Sequence, residues 1–300
     1  MINGIINVYK EKGFTSFDVV AKMRGIFHQK KIGHTGTLDP DAEGVLPVCL
    51  GKATKVCDLL TDTDKEYRAV LLLGQETDTQ DVSGKIINKK TVDVDEAQVK
   101  ETINSFVGEY AQIPPMYSAL KVNGQKLVDL ARKGIEVERK PRNVFINDIK
   151  IEKIDLPRVT MVVGCSKGTY IRTLCKDIGD KLGCFGCMES LVRTQAAGFR
   201  LEDAIKLSDV ETIVSRNEIA KYIKPIDHVL CDFPKVKANE ESQKYVYNGN
   251  KLSENNLQTH DFEFQDDVEY RVYDFEDNFI GIYKYINKEE FLKPVKMFFL

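Results

Sequence analysis

Lys31-Ile-Gly-His-Thr-Gly-Thr-Leu-Asp-Pro-Asp-Ala-Glu-Gly-Val-Leu-Pro-Val48 is the stretch from which the rest of the chain is read. It sets one carboxylate, Asp39, directly before Pro40, with glycines at 33, 36 and 44. A basic pair, Lys30 and Lys31, precedes it, and an apolar run from Val45 to Leu50 follows. Glycine permits backbone angles and close approaches that other residues resist, and proline stiffens the chain. The combination predicts a carboxylate held rigidly on a loop, and loops fixed to a scaffold are where chemistry tends to sit.

Two rival uses of this loop fail on spacing. A phosphate-cradling loop needs a glycine five positions before its Gly-Lys pair. Before Gly51-Lys52 that place is Leu46. A calcium loop beginning at Asp39 needs a bidentate Glu at its twelfth position, which is Leu50. The plain alternative is that His34, Asp39 and Asp41 cap turns, as such residues often do.

Three hundred residues with 42% hydrophobic content suffice for one sizeable core and a small second domain. The N-terminus lacks a signal-peptide pattern, and no apolar run approaches membrane-spanning length. Seven cysteines, an odd number, point to reduced thiols in a cytoplasmic protein. Cys184-x-x-Cys187 is half of a zinc spacing with no second pair, so buried thiols are expected there and no metal. The net charge is −3, but it is unevenly spread. Lys121 to Arg142 carries +4, Met161 to Arg200 carries +3, and Asp232 to the end carries −5. Basic stretches in an acidic chain are what a localised anion-binding face requires, and a solvated charged face is the plain alternative.

Ser16 is placed to cap a helix through Phe27, with Phe17, Val20, Ile26 and Phe27 on its buried side. Tyr67 to Leu73, followed by Gly74, reads as a buried strand. Asp95 caps a helix carrying Val99, Ile103, Phe106 and Val107, with Gly108 as its stop. Val144, Ile146, Ile149 and Ile151 alternate as a strand with a break of phase at Asn147-Asp148, and Val159 to Cys165 forms another. Ile171, Leu174, Ile178 and Leu182 make a helical stripe ended by Gly183. Helices without regular βαβ alternation favour an α+β fold with a mixed sheet over a doubly wound one. Pro225 and Pro234 mark a boundary. Beyond it, Tyr270 to Phe275 and Phe279 to Ile286 alternate strongly, which predicts a small β-rich module.

With these segments in place, the chain closely resembles the TruB family, the bacterial tRNA pseudouridine-55 synthases. Six ordered motifs carry the resemblance: Gly4-Ile-Ile-Asn-Val-Tyr-Lys10 with Gly13-Phe-Thr-Ser16, Gly33-His-Thr-Gly-Thr-Leu-Asp-Pro40 with Gly44-Val-Leu-Pro-Val48, Lys65-Glu-Tyr-Arg68 leading to Leu73-Gly-Gln-Glu-Thr-Asp-Thr-Gln-Asp-Val-Ser-Gly84, Ile113-Pro-Pro-Met-Tyr-Ser-Ala-Leu-Lys121, Cys165-Ser-Lys-Gly-Thr-Tyr-Ile-Arg-Thr173, and Leu191-Val-Arg193. The resemblance implies a pseudouridine synthase fold over residues 1–230, a largely antiparallel mixed sheet flanked by helices. It implies an RNA-gripping insertion at 121–142 and a PUA-like RNA-binding domain at 231–300.

It further implies isomerisation of a tRNA T-loop uridine, at position 55, to pseudouridine, with the base flipped out of its stack. Asp39 matches the catalytic aspartate, ionised and able to act as nucleophile or base. Tyr67 matches the tyrosine that packs on the base and helps move a proton. Arg172 matches the arginine that pairs with the aspartate, orienting Asp39 and keeping it charged. Asp81, Tyr170 and Leu191 match residues lining the uridine pocket, His34 the histidine that assists opening of the RNA loop, and Lys10 closes the first motif as a further substrate-binding position. Arg132, Lys133, Arg139 and Lys140 are expected to grip phosphates. Departures fall at Glu11, Glu43, Val192 and Cys187, and none touches Asp39, Tyr67 or Arg172. Isomerisation is redox-neutral and transfers no external group, so no cofactor is required. The implied partner is the T-arm of tRNA, with the chain acting as a monomer. A tRNA-folding chaperone and a synthase for another RNA are the alternatives.

Overall fold

A computed structural model describes residues 1–258 and 263–298. Residues 259–262 and 299–300 of the expected C-terminal domain lie outside the described residues. In chain order the main elements are β1 (Gly4–Lys10), α1 (Ser16–Phe27), β2 (Glu43–Leu50), β3 (Lys65–Leu73), α2 (Glu96–Asn104), β4 (Gly108–Gln112), β5 (Arg142–Asp155), β6 (Arg158–Cys165), α3 (Ile171–Lys181), β7 (Gly186–Ala196) and β8 (Ile205–Lys206). The strands form one mixed sheet in the order β8-β1-β2-β7-β3-β6-β5-β4, with two short strands, Ile32–His34 and Phe199–Arg200, added to β2 and β7. Only β8/β1 and β2/β7 pair in parallel; the other pairs are antiparallel. This is the mixed α+β architecture expected from the sequence.

Local chemistry explains the elements, with three corrections. Thr15, not Ser16, caps α1, through a box in which its hydroxyl accepts from the Asp18 N–H and Asp18 accepts from the Thr15 N–H. Ser16 instead turns its hydroxyl to the Leu38 N–H at 2.9 Å, which anchors the loop before Asp39. The buried side of α1 is Val19, Val20 and Met23, while Phe17 is 64% exposed. On α2 the Asp95 cap forms as expected, but the helix ends at Asn104. Phe106 and Val107 therefore leave it, and Gly108 opens β4 rather than closing a helix. The break of phase at Asn147-Asp148 is a β-bulge, where pairing with β6 steps from Ile146–Cys165 to Asp148–Gly164.

The centre of the sheet is where β2, β7 and β3 lie side by side. Along β3 every second residue faces the core, so Tyr67, Ala69, Leu71 and Leu73 share one face. The helix α3 crosses β7 at very short range. A Cβ on Gly179 would fall 2.2 Å from the Gly186 amide nitrogen, so only glycine permits the contact that fixes the helix there.

Four strands, β9 (Lys235–Lys237), β10 (Glu269–Tyr273), β11 (Phe279–Ile286) and β12 (Phe291–Met297), form a second sheet in that order. It does not stand apart. Ile282 and Phe298 pack into one apolar cluster with Ile5, Val45, Cys49 and Val56 of the main sheet region. Lys296 adds an ion pair to Asp58 at 2.6 Å. The opposite face of β2, with Leu46 and Val48, is covered by α1. Both faces of β2 are thus buried, and the loop before it runs into a strand packed on both sides.

Candidate active site

Asp39 sits on that loop with its neighbours tied down on both sides. Leu38 is buried in the core with Tyr67 and Leu191. The Pro40 carbonyl accepts from the Gly13 N–H at 2.9 Å and from the Lys10 ammonium at 3.1 Å. Lys10, expected to touch substrate, is fully buried and also donates to the carbonyls of Glu11 and Phe14. All three of its N–H donors are used by backbone, so it positions the loop and does not reach the cavity. Burial lowers its pKa to about 8.

Arg172, the second residue of α3, is 5% exposed and faces Asp39 with Nε 3.0 Å from Oδ2. Its Nη1 donates to the Thr79 carbonyl at 3.1 Å and lies 3.9 Å from Asp81 Oδ2. Its Nη2 donates to the Tyr117 carbonyl at 2.8 Å. Asp81 is fixed in turn through Oδ1, which accepts from Thr79 Oγ1 at 2.7 Å and from the Ser83 N–H at 3.0 Å. The guanidinium thereby joins the Asp39 loop, the loop after β3 and the segment leading into the 121–142 insertion.

These groups form the floor of a cavity of about 550 Å³ lined by Asp39, Asp81, Arg172 and Leu191, among others. That is within the usual range of ligand sites. The Asp39 side chain remains 43% exposed and is open to a ligand. A larger cavity, about 790 Å³, lies around Phe199 and His228 and contains none of the predicted site residues. Size does not identify the site; converging charge does.

Arg172 favours the charged form of Asp39, as expected, but burial outweighs it. Removal from water, the largest influence, pushes the Asp39 carboxyl above its ordinary value, with Arg172 opposing and Asp81 reinforcing. A carboxylate of raised proton affinity is a better base or nucleophile once ionised.

The remaining predicted residues lie around rather than in the cavity. Tyr67 is buried beneath it, and burial raises its phenol pKa. Tyr170 precedes α3, and its backbone is held at both ends by the Gln112 side-chain amide, at 2.7 and 3.0 Å. His34 is half-buried, with Nδ1 accepting from the Gly36 N–H at 3.3 Å, so Nε2 carries the proton. Burial and then the charge of Arg193 push its pKa down. Glu43 and Val192, two of the departures, are partners in the short β2/β7 ladder. Cys184 and Cys187 are both buried free thiols. Among the described residues no cluster of three or more His, Cys, Asp or Glu has metal-holding geometry.

Sequence reasoning gave no role to Lys12 and Tyr117, which line the cavity, or to Arg193. Arg193 is 1% exposed on β7, one ladder step from Leu191 on the same face. A strand arginine spaced two residues from a core leucine was the available signal.

Comparison with known proteins gives the family. Residues 24–171 match the family described as TruB family pseudouridylate synthase (N terminal domain), and residues 172–231 match the tRNA pseudouridylate synthase B C-terminal domain. The chain is 54% identical to the tRNA pseudouridine synthase B of Lachnoclostridium phytofermentans, covering 99% of this chain and all of that one. It is 46% identical to that of Clostridium kluyveri over the same shares. Among solved structures, a chain of a Cbf5-Nop10-Gar1 complex aligns with a TM-score of 0.76 at 28% identity, covering 99% of this chain and 85% of that one. The fold is that of the pseudouridine synthases. The chain belongs to the TruB family of pseudouridylate synthases.

The raised Asp39 pKa makes a prediction. If the ionised form is the active one, single-turnover rates fall as pH drops through a value above the 3.8 of an ordinary aspartate. Asp81→Asn removes one of the charges that raise it, so the acid limb moves to lower pH. A limb that stays in place or moves up contradicts this reading of the site.

Proposed function

We propose that the chain isomerises the uridine at position 55 in the T-loop of tRNA to pseudouridine, with Asp39 as the catalytic carboxylate. The observation that carries the reading is the ion pair between Asp39 and the buried Arg172 at the floor of an open cavity. The reaction breaks the bond from C1′ to ring nitrogen N1 and makes one from C1′ to ring carbon C5. A proton leaves C5 and one is gained at N1, so the balance is internal. Asp39 can serve by attacking C1′, by attacking the ring or by taking a sugar proton. Each route needs an ionised carboxylate within reach of a base taken out of its stack.

Tyr67 is the group assigned to packing and proton movement, with Leu191 as an apolar wall and Asp81 and Tyr170 framing the nucleotide. His34, neutral and half-buried, supports opening of the RNA loop from the side. The PUA-like module at 231–300 and the insertion at 121–142 are assigned to holding RNA, with the chain acting as a cytoplasmic monomer. Within the insertion, Arg132 lines the cavity. Arg139 does not fit the phosphate role expected of it. It is 19% exposed and donates to the Pro114 carbonyl and to Glu136, which makes it a brace for the insertion itself. No helix among the described residues is long and apolar enough to cross a membrane.

Incubation with an unmodified tRNA transcript, followed by mapping of pseudouridine, tests the proposal. Product at position 55 is expected; product only elsewhere would reassign the substrate. Neutralising Arg132, Lys133 and Lys140 together should weaken tRNA binding and flatten its log–log salt dependence by somewhat under one unit per lost phosphate contact. An unchanged slope would make the insertion a solvated face.

A further inference from the structure

The site holds two buried arginines, and only one of them has an acid. Arg172 is matched by Asp39 and Asp81. Among the described residues, no Asp or Glu lies within ion-pair distance of Arg193. Its Nε donates to the Val45 carbonyl at 2.7 Å and its Nη2 to the Gly36 carbonyl at 3.3 Å. Neutral carbonyls take two of its N–H groups but leave its charge uncompensated in a site shut off from solvent.

On β2, a Cβ at Gly44 would meet the Arg193 carbonyl oxygen at 2.3 Å, so glycine there lets the two strand backbones approach closely at this position. Pairing of β7 with β3 slips between Met188 and Ser190 and again between Arg193 and Gln195, so bulges flank the Leu191–Arg193 segment. Bulges re-aim side chains beside active sites. Across the β7/β3 ladder the residue opposite Arg193 is Tyr67, so two buried side chains stand as cross-strand neighbours, and the guanidinium charge bears on the phenol.

We propose that Arg193 is a positioning residue for proton transfer, holding the Tyr67 hydroxyl and supplying the positive charge against which Tyr67 forms a transient phenolate. This rests on the reading of Tyr67 as the group that moves the proton. Isomerisation needs one proton delivered to N1 and one removed from C5. A phenol that gives its proton at the nitrogen and regains one from the carbon does both, and passes through the phenolate between. No external acid, base or oxidant enters the balance.

Burial is the largest influence on the phenol and opposes its ionisation. Arg193 favours the phenolate from β7 and Asp39 opposes it from the loop, while the Cys165 thiol on β6, itself pushed up to about 12 by burial, stays neutral. The same cation also bears on Lys10, His34 and Lys65, disfavouring protonation at each. Tyr67 is the one among these four groups that becomes an anion, and so the one that gains from a buried positive charge.

The test uses the full chain with tRNA transcript at saturation, and protein labelled with ¹³C at the tyrosine ζ carbon. The Tyr67 resonance is assigned by its loss in Tyr67→Phe. Arg193→Gln keeps hydrogen-bond donors and removes the charge. It should slow the single-turnover rate at least tenfold, leave tRNA affinity within threefold, and move the Tyr67 titration up by one pH unit or more. Arg193→Lys keeps the charge and should hold both within about threefold of the parent. Added to Tyr67→Phe, Arg193→Gln should lower the residual rate by less than threefold, because the two act on one step.

A folded Arg193→Gln chain whose Tyr67 titration does not move overturns the proposal. So does an equal rate loss with and without the Tyr67 hydroxyl. If the Gln variant does not fold, Arg193→Lys decides alone: a folded Lys variant slowed more than tenfold sends the role back to packing. Full activity in Tyr67→Phe would instead remove the reading of Tyr67 itself, and the proposal with it.

Discussion

The guanidinium of Arg172 is the contact on which this site depends. At 5% exposure it has almost no water, so its charge and its N–H groups must be met by protein. They are met by groups from three separate segments: Asp39, Asp81 with the Thr79 carbonyl, and the Tyr117 carbonyl. None of these residues lies in a helix or strand, though local hydrogen bonds hold the Asp39 loop and a bridge to Met188 holds Asp81. Arg172 converts them into one surface, and its own position follows from the glycine contact between α3 and β7. The order of causes runs from Gly179 and Gly186, through the helix, to the orientation of a carboxylate.

Protonation across the site is uneven, and burial is the leading cause at each group. Removal from water raises Asp39 and Tyr67 and lowers His34 and Lys10. Arg172 moderates the effect at Asp39, and Arg193 moderates it at Tyr67 while adding to it at His34. The result is a carboxylate and a phenol, each beside its own arginine, with an imidazole nearby whose protonation is disfavoured. Environments that push titratable groups in different directions are how one scaffold divides acid and base roles.

Much of this was legible in the residues. The α+β class followed from helices set among strands without a βαβ rhythm, and the bulge at Asn147-Asp148 from a break in alternation. The loop with Asp39 followed from its glycines, its proline and the apolar run beyond. What was not legible depended on side chains choosing between partners. Ser16 looked like a cap but holds Leu38, because Thr15 and Asp18 complete the cap without it. Lys10 looked like a ligand for RNA but is consumed by three carbonyls. The sign of the Asp39 shift turned on burial against one charge, which spacing along a chain does not measure. The second sheet read as a small β-rich module, and spacing could not show that it shares Ile282 and Phe298 with the apolar cluster of β1 and β2.

The central claim is that Asp39 does the chemistry and that the rest of the site presents it. Single-turnover rates and tRNA affinity for Asp39→Asn test it most directly, with deamidation excluded by mass. The substitution keeps the size of the side chain and removes the charge. The account predicts that turnover is abolished while affinity stays within about tenfold, roughly 1.4 kcal/mol of binding free energy. Substantial turnover in the Asn variant would contradict it.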